Sequence, residues 1–508
     1  MRVLFLLTTV GSKVHAHHAT GFLSGVLKEK GHETAYLELD RVDYAKLKET
    51  IETFQPGVMA VSAVAQQMPY VTKLINYAKQ NFPYLKTVLG GTHPMLKRDC
   101  INDIEGLDAL CIGDGELPIL KYVDTIEAGN LPSEDIPNMR FRMAEGVILE
   151  TPLSYAVTEE DLVVLPLQDR MLFPYFNEVP FGSPLPFIPR VLWGRGCPYE
   201  CTYCSVPSLK RLLKEPLQSS GAKWVRYPPP ERCIEEIEGL LDRWQFDTYV
   251  IDDDVLTTRK SWILDLANKY PDQLRDRVSF EANLRVESID RESMQALKDM
   301  GCKLLKFGLE NGNYIIRQKI LNRPIPDEKI LEVFEWAHEI GVPAHTFNMV
   351  GVEQETKESV WETIKLNRQI RPERIQVTIF FPYIGTPMGD DARARGKIAV
   401  EQDSYYNGAS VEIEGLSAWQ IEFYTRWFKF LVYIGYSPKL AWGELKLAIK
   451  AEIKAALPDR VYRKYRSIRF GDMGYKDLQV ETMGSDGEHP ILEAQDIEDM
   501  DQQQVKAS

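Results

Sequence analysis

Residues 194–204 read Gly194-Arg-Gly-Cys-Pro-Tyr-Glu-Cys-Thr-Tyr-Cys204 and place three cysteines in the spacing Cys-x3-Cys-x2-Cys. Three thiolates on one short loop can hold three irons of a [4Fe–4S] cluster and leave the fourth iron without a protein ligand. Such an iron can bind a small molecule, so the spacing indicates a catalytic cluster rather than an electron-transfer centre. Two glycines, Gly194 and Gly196, suit a backbone that passes closely around a bound group.

Two other interpretations of Cys197, Cys201 and Cys204 have to be weighed. A structural zinc ion normally takes four protein ligands, and no second Cys or His pair lies nearby, since the next cysteine is the isolated Cys233. Free cysteines are also often simply buried in a core. The short, regular spacing favours the open cluster over both alternatives.

The composition is that of a globular protein of several domains. A chain of 508 residues with 44% hydrophobic and 26% charged residues is too long for one core, so two to four domains are expected. The net charge of −14 argues against nucleic-acid binding. We expect no transmembrane helix and no signal peptide, and the seven cysteines fit a reducing cytoplasm better than a disulfide scaffold.

Strand and helix patterns alternate over the first 125 residues, which predicts a doubly wound parallel sheet. The predicted strands are Arg2–Thr8, Thr34–Leu39, Gly57–Ser62, Lys86–Leu89 and Ala109–Ile112. The predicted helices are Thr20–Lys30, Asp43–Phe54, Pro69–Phe82 and Glu116–Ala128. Glycines and small hydroxyl residues follow several of the strands, at the edge of the sheet where such folds bind ligands.

The alternation resumes at Val191 and predicts six further β/α units. Their strands are Val191–Trp193, Thr248–Ile251, Val278–Ala282, Leu304–Leu309, Ala344–Val350 and Arg374–Phe380. Polar residues again follow the strands: Asp252-Asp-Asp254, Arg285, Glu310 and the turn Pro382-Tyr-Ile-Gly-Thr-Pro387. The carboxyl ends of barrel strands are where active sites lie in such folds.

These features together resemble the cobalamin-dependent radical S-adenosylmethionine (SAM) enzymes. The resemblance covers roughly residues 1–390 and implies a flavodoxin-like cobalamin-binding domain and a partial (β/α)6 barrel. The residue pattern after Gly396 predicts a helical C-terminal region. The resemblance implies that Cys197, Cys201 and Cys204 ligate the cluster and that the open iron chelates SAM. It further implies that the corrin and its nucleotide tail are lined by Ser62, Gln66, Gly90, Gly91, His93 and Gly113.

One departure from related cobalamin domains concerns the cobalt ligand. The Asp-x-His-x-x-Gly signature is absent, and His15, His17 and His18 lie in the first loop without that pattern. We therefore expect base-off cobalamin with no histidine on cobalt.

SAM carries an ammonium group, a carboxylate and a ribose diol, so its pocket needs acceptors and a cation. Arg285 and Glu310 are the candidates for these roles, and Tyr203, just before the last cysteine, is a further candidate contact. Of the three consecutive carboxylates we select Asp253 as the cofactor contact, although such a run can also bind a metal or cap the following helix.

The predicted domain limits are 1–130 for the cobalamin domain, 131–189 for a proline-rich connector and 190–395 for the barrel. Residues 396–483 form the helical region, with helices at Ala418–Tyr433 and Pro438–Ala456, and 484–508 an acidic, disordered tail. The helical region either shapes the substrate site or only buries apolar surface. We expect the aromatic residues of the connector to pack between the two domains.

The resemblance implies a methyltransferase that acts on an unactivated carbon through a 5′-deoxyadenosyl radical and methylcobalamin. It also implies a small-molecule or lipid substrate and an external electron donor such as a flavodoxin or ferredoxin. Two other functions fit the same layout. One is a non-methylating cyclase or rearrangement enzyme, such as the anaerobic porphyrin ring cyclase, and the other is a corrinoid or iron–sulfur sensor without turnover.

Overall fold

The computed structural model describes residues 1–9, 17–399 and 408–456. The predicted tail at 484–508 lies outside these residues. Thirteen strands in the described chain form one sheet of seven strands and one of six. The strands are β1 (Arg2–Thr8), β2 (Glu33–Leu39), β3 (Val58–Ser62), β4 (Lys86–Gly90), β5 (Ala109–Cys111), β6 (Met139–Arg142), β7 (Ile148–Glu150), β8 (Arg190–Val191), β9 (Thr248–Ile251), β10 (Ser279–Leu284), β11 (Cys302–Glu310), β12 (Ala344–Val350) and β13 (Arg374–Ile379).

The first sheet has the strand order β2-β1-β3-β4-β5-β6-β7, and its first five strands are parallel. This is the flavodoxin-like order, which confirms the predicted doubly wound sheet. Alternate residues of β1 face opposite layers: Val3 and Phe5 belong to one core cluster, Leu4 and Leu6 to another. Because both faces are covered, the strands are almost continuously apolar.

Two short antiparallel strands, β6 and β7, extend this sheet into the segment that the sequence predicted as connector. In the remainder of that segment, up to β8, aromatic side chains contact both domains. The Phe173 ring meets Tyr36 of β2 edge-on at a centroid distance of 5.0 Å, and Phe176 lies 5.0 Å from Trp244 beside the second sheet. These contacts join the two domains through one continuous apolar core.

Helices cover the first sheet and fill the segment that follows it. They are α1 (His18–Glu29), α2 (Tyr44–Phe54), α3 (Met68–Asn81), α4 (Thr92–Leu96), α5 (Cys100–Asp103), α6 (Glu116–Glu127), α7 (Asp161–Val164) and α8 (Pro174–Asn177). Local signals set their ends. Asp43 caps α2 by accepting a hydrogen bond from the backbone N–H of Lys46.

The second sheet is parallel throughout, in the sequential order β8 to β13. Strands β8 and β13 are both edges, so the barrel is partial, as predicted. Its helices are α9 (Ser205–Leu212), α10 (Lys214–Ser220), α11 (Pro230–Leu241), α12 (Lys260–Lys269), α13 (Asp272–Arg277), α14 (Arg291–Asp299), α15 (Asp327–Ile340), α16 (Lys357–Ile370) and α17 (Pro387–Ala394).

Two C-terminal helices, α18 (Ala418–Tyr433) and α19 (Pro438–Ala456), have the predicted bounds. Tyr424, Phe428 and Val432 of α18 pack against Ile375 and Val377 of β13, the edge of the partial barrel. Within the described residues, every helix is too short or too polar to cross a membrane.

Candidate active site

The three cysteines lie on the loop that follows β8, before α9. All are free thiols, and Cys197 and Cys201 are buried. Burial raises the pKa of Cys197 to about 11 and that of Cys204 to about 12. A metal centre that takes these thiols as ligands would therefore have to supply the stabilisation that keeps them ionised.

The donor set fits an iron–sulfur cluster better than a zinc ion. Among the described residues, one group of three metal-ligating side chains has all its ligand atoms within 4.8 Å of one another, and it is His32, Asp124 and Glu127, away from this loop. The sulfur atoms of the three cysteines do not all lie within 4.8 Å of one another. Four-coordinate zinc with bonds of roughly 2.3 Å would bring its sulfur ligands closer together.

Arg285, at the carboxyl end of β10, contacts the cysteine loop directly. Its guanidinium donates a 2.8 Å hydrogen bond to Sγ of Cys201 and stacks at 3.8 Å on the ring of Tyr199. It also donates to the carboxylate of Glu287, 2.5 Å away. The predicted cation therefore lies against the cysteine loop, in contact with one of the three cysteines.

Glu310 ends β11 in a left-handed conformation, with φ of 66°, next to a register shift at Gly308. Burial raises the pKa of its carboxyl group. A Cβ atom on Gly308 would come within 2.7 Å of the Glu310 carboxylate, so glycine leaves room for it. A strained, buried carboxylate at a strand end is a typical feature of a binding site.

Arg323 is a site residue that the sequence did not indicate. Its buried guanidinium donates to the hydroxyl of Tyr203 at 3.3 Å and to the carbonyl of Gly308 at 2.5 Å. It also lies 4.0 Å from Glu310 and 3.8 Å from Sγ of Cys201. Arg323 thus joins the cysteine loop to β11 and gives Tyr203 a fixed position.

The three consecutive carboxylates after β9 have three different environments. Asp252 pairs with Arg190, and Asp253 accepts hydrogen bonds of 2.8 Å from the backbone N–H groups of Trp193 and Gly194. Asp254 lines a cavity. Asp253, the residue selected from the sequence, therefore contacts the backbone at the start of the cysteine loop, and Asp254 is the carboxylate directed at the cavity.

The cavity lies between the two sheets and has a volume of about 360 Å³. One wall is made by strand ends of the first sheet and includes four residues selected from the sequence: Ser62, Gly90, Gly91 and Gly113. The opposite wall includes Gly194, Gly196 and Asp254, from the cysteine loop and the end of β9. The volume falls within the roughly 300–1,000 Å³ typical of small-molecule sites.

The glycines of the first wall form a cradle that fits a large flat group. A Cβ atom on Gly90 would meet no atom closer than 3.9 Å, so this position faces open space. Gly91 has a φ of 98°, and a Cβ atom there would come within 2.6 Å of the carbonyl oxygen of Ala63. Any side chain at Gly90 would therefore occupy the cavity.

Two residues selected from the sequence lie outside the lining of this cavity. Gln66 donates a 3.3 Å hydrogen bond to the hydroxyl of Tyr383, in the turn after β13. His93 is buried in α4, and burial lowers its pKa.

The two histidines of the first loop that the structure describes contact other protein groups. Nδ1 of His18 hydrogen-bonds to Gln168 at 3.1 Å, and Nε2 of His18 hydrogen-bonds to the Asp252 carboxylate at 2.9 Å. The His17 ring packs between Tyr36 and Phe173. His15 lies outside the described residues.

A buried ion-pair network joins the two walls of the cavity. Arg195, between the two glycines of the cysteine loop, pairs with Asp114 at 3.1 Å and Glu116 at 2.5 Å on the first domain. Arg226 pairs with the other oxygen of Asp114 at 2.7 Å. Although burial raises the pKa of Asp114, the two guanidinium groups lower it below its usual range. The network holds the cysteine loop against the first domain.

Comparison with known families agrees with this geometry. Residues 3–122 match the B12 binding domain, and residues 191–366 match the radical SAM superfamily. Residues 191–366 are therefore a radical SAM domain, and residues 3–122 are a B12 binding domain. With both domains, the chain is a cobalamin-dependent radical SAM enzyme whose cofactors are a [4Fe–4S] cluster, SAM and cobalamin.

Two curated proteins resemble this radical SAM enzyme over most of its length. An uncharacterized methyltransferase of Pyrococcus horikoshii is 24% identical over 378 residues, which cover 73% of this chain and 77% of that protein. The anaerobic magnesium-protoporphyrin IX monomethyl ester cyclase of Cereibacter sphaeroides is 22% identical over 397 residues, 76% of this chain and 61% of the cyclase.

The fold is also that of a solved structure. The radical SAM methyltransferase TsrM from Kitasatospora setae, with cobalamin and a [4Fe–4S] cluster bound, superposes with a TM-score of 0.58 at 16% sequence identity. The match covers 79% of this chain and 76% of TsrM. It confirms the arrangement of parallel sheets and barrel expected from the sequence.

Proposed function

We propose that this radical SAM enzyme transfers a methyl group to an unactivated carbon of a small molecule or lipid. The observation that carries the proposal is the shared cavity. Strand ends of the B12 binding domain and glycines of the cysteine loop form opposite walls of one space. A methyl donor and a radical source would therefore face the same substrate atom.

The residues around the cavity can be given roles. Cys197, Cys201 and Cys204 hold the cluster, and Ser62, Gly90, Gly91 and Gly113 hold the corrinoid face. When bound, the cluster supplies the electron that cleaves SAM to methionine and a 5′-deoxyadenosyl radical, and cobalamin supplies the methyl group.

Three residues of the chain orient SAM in this proposal. Arg285 binds its carboxylate through the charge-assisted hydrogen bonds that guanidinium groups form. Glu310 accepts from the ammonium group or the ribose diol, and a cation at that point would keep its buried carboxyl group ionised. Arg323 is a positioning residue, because it acts through Tyr203 and Glu310.

The apolar part of the cavity wall serves to keep water away from a radical. Leu23, Met95, Leu209 and Leu213 line the space. Leu209 belongs to α9 and Leu213 lies between α9 and α10, so both come from the barrel side. Closing both walls around the reacting groups limits side reactions with solvent. The electron comes from an external donor such as a flavodoxin or ferredoxin, and a cytoplasmic location fits the free cysteines.

A product analysis under anaerobic conditions tests methyl transfer. The reconstituted enzyme is given SAM with a deuterated methyl group, a strong reductant and a candidate substrate. Methylation predicts both 5′-deoxyadenosine and S-adenosylhomocysteine, because a second SAM restores the methyl donor. 5′-Deoxyadenosine without S-adenosylhomocysteine would contradict it and favour a cyclase-like reaction, the second candidate, for which the similarity to the Cereibacter sphaeroides protein argues.

A further inference from the structure

The C-terminal helix α19 presents an apolar stripe to solvent. Trp442, Ile449 and Ile453 are 61%, 45% and 42% exposed. Because these residues are seven and four positions apart, they lie on one side of the helix. A different side of α19 packs against the protein, where Ala441 and Ala448 are buried. The apolar stripe therefore contributes nothing to the core among the described residues.

A stripe of lysines runs beside the apolar stripe. Lys439, Lys446 and Lys450 each precede one of the three apolar residues by three positions, and all three are exposed. Nζ of Lys446 lies 5.6 Å from the centre of the Trp442 ring. Within the part of the chain that the structure describes, none of the three lysines forms an ion pair. The lysine stripe is therefore free to meet negative charge on a partner.

Aromatic residues of α18 extend this surface. Trp419, which is 64% exposed, stacks on Phe423 with ring centroids 5.3 Å apart, and Phe423 stacks on Trp427 at 6.0 Å. The indole N–H of Trp427 donates a 3.0 Å hydrogen bond to Glu452, directly before the last residue of the apolar stripe. The aromatic row thus leads from one helix to the other. We call the apolar stripe, the lysine stripe and Trp419 the amphipathic face. Contiguous exposed apolar surface of this kind marks an interaction site.

The amphipathic face adjoins the active-site edge of the second sheet. Gly351 directly follows β12, and a Cβ atom there would lie 3.2 Å from Ile421 of α18. Trp419 stands two residues before Ile421, so it lies near the carboxyl ends of the strands. Arg285 and Glu310 occupy the same edge, at the ends of β10 and β11.

The sequence around the amphipathic face reverses the charge of the chain. The whole chain carries a net charge of −14, yet residues 438–470 contain nine Lys or Arg and only three Asp or Glu. Charges more than about 8 Å apart are largely screened at physiological ionic strength. The local excess of cations, rather than the net charge of the protein, therefore decides which surface this face can meet.

An anionic lipid surface fits the amphipathic face better than a second copy of the chain does. A two-fold dimer brings the same surface of both copies together, so the two lysine stripes would repel each other. At a membrane, tryptophan and aliphatic side chains enter the boundary between headgroups and acyl chains, and the lysines of an amphipathic helix bind anionic headgroups. Lysine stems can lie along apolar surface while the ammonium groups stay at the phosphates.

We propose that the amphipathic face docks on the surface of a membrane that contains anionic phospholipids. The apolar stripe and Trp419 enter the headgroup boundary, the lysines bind lipid phosphates, and α19 lies in the plane of the surface. The inference does not depend on the proposed function. It favours a lipid among the substrates proposed above, because docking brings the active-site edge of the barrel to the membrane.

Flotation with lipid vesicles tests the docking without any turnover. The full-length holoenzyme is mixed with vesicles of equal parts phosphatidylglycerol and phosphatidylcholine, and separately with vesicles of phosphatidylcholine alone. We expect binding to the anionic vesicles that weakens as sodium chloride is added. The triple variant Lys439→Gln, Lys446→Gln, Lys450→Gln should bind them about 100-fold more weakly, on the order of fivefold for each lysine.

Matched variants separate the face from general surface charge. Lys30→Gln, Lys73→Gln and Lys357→Gln, combined in one protein, remove three exposed lysines elsewhere and should leave vesicle binding unchanged. Trp442→Ser should weaken binding at least about tenfold, because the indole no longer enters the lipid boundary. Tyr84→Ser, at an aromatic residue that is also exposed, should not weaken it.

The proposal would be overturned by lack of binding to the anionic vesicles, by equal binding to both kinds of vesicle, or by unweakened binding of the triple lysine variant. A dimer in analytical ultracentrifugation that Trp442→Ser dissociates would also overturn it, and would assign the face to a second copy. If the triple variant does not fold, Trp442→Ser decides the question. Because flotation does not require SAM cleavage, its failure is distinguishable from failure of the proposed function.

Discussion

The guanidinium of Arg285 donates a 2.8 Å hydrogen bond to the sulfur of Cys201 while it stacks on Tyr199 of the same loop. Burial lowers the pKa of this arginine and nearby carboxylate and thiol groups raise it, so that the net shift is upward. The residue directly after β10 thus connects this barrel strand to the cysteine loop and supplies a permanent positive charge beside Cys201.

Replacing Arg285 by methionine should lower the rate of 5′-deoxyadenosine formation about 10- to 100-fold, the value of one or two charge-assisted hydrogen bonds. It should also make the reduction potential of the cluster more negative, because a cation favours the reduced, more negative form. Product quantification and a redox titration followed by electron paramagnetic resonance measure both effects. The exposed Arg291→Met is the control. An unchanged potential would contradict the assigned position of the charge.

Gly90→Leu should abolish most cobalamin binding while the cluster remains. The side chain meets no protein atom closely and would project into the cavity. We expect the bound cobalamin per protein to fall at least about tenfold after reconstitution with hydroxocobalamin, as 1.4 kcal/mol of lost contact would produce. Absorbance after gel filtration measures it, with Gly443→Leu in α19 as control, where nothing lies within 4 Å. Normal cobalamin content in Gly90→Leu would place the corrinoid elsewhere.

Arg195→Met should reduce the free energy of unfolding by about 3–5 kcal/mol, because it leaves buried carboxylates without a partner. Both Asp114 and Glu116 lose a guanidinium in this variant. Urea denaturation followed by fluorescence and circular dichroism measures the change. Lys97→Met, which removes an exposed pair with Asp103, should cost no more than about 1 kcal/mol. Similar losses in the two variants would show that the network does not hold the domains together.

The contacts of Asp252 predict that the protein loses stability in acid. Although burial raises its pKa, hydrogen bonds from His18 and Arg190 lower it from 3.8 to about 2. A depressed pKa contributes stability above the unfolded value, and this contribution is lost as the pH falls from about 4 to 2. The difference in the free energy of unfolding between the unaltered enzyme and Asp252→Asn should therefore shrink by about 2 kcal/mol as the pH falls from about 4 to 2.

Urea midpoints at pH 4, 3 and 2 provide this comparison, with the exposed Asp272→Asn as control. If the free energy of unfolding decreases equally in the unaltered enzyme and in Asp252→Asn, the contacts to His18 and Arg190 do not stabilise the ionised carboxylate.

The sequence predicted most of the architecture because strong periodic patterns mark buried strands and covering helices. Helices α18 and α19 were predicted with their observed bounds. Strands β6 and β7 were missed, since they are only four and three residues long and follow a proline-rich stretch. Short edge strands take their stability from the sheet they join, and local sequence gives little sign of them.

The candidate site was predictable only where chemistry follows local spacing. The cysteine loop and the strand-end glycines carry such signals, and four of the selected residues line the cavity. Arg323 and the Arg195 network depend on contacts between distant segments. The choice between Asp253 and Asp254 depended on which carboxylate the backbone of Trp193 engages, and only the fold determines this.

The most direct test of the central claim is anaerobic formation of 5′-deoxyadenosine by the enzyme reconstituted with iron, sulfide and hydroxocobalamin, given SAM and a strong reductant. We predict 5′-deoxyadenosine from the unaltered enzyme and its loss in Cys197→Ala, Cys201→Ala and Cys204→Ala, with Cys233→Ala, outside the loop, retaining it. Absence of 5′-deoxyadenosine from an enzyme with an intact cluster, or its persistence in the three loop variants, would contradict the account.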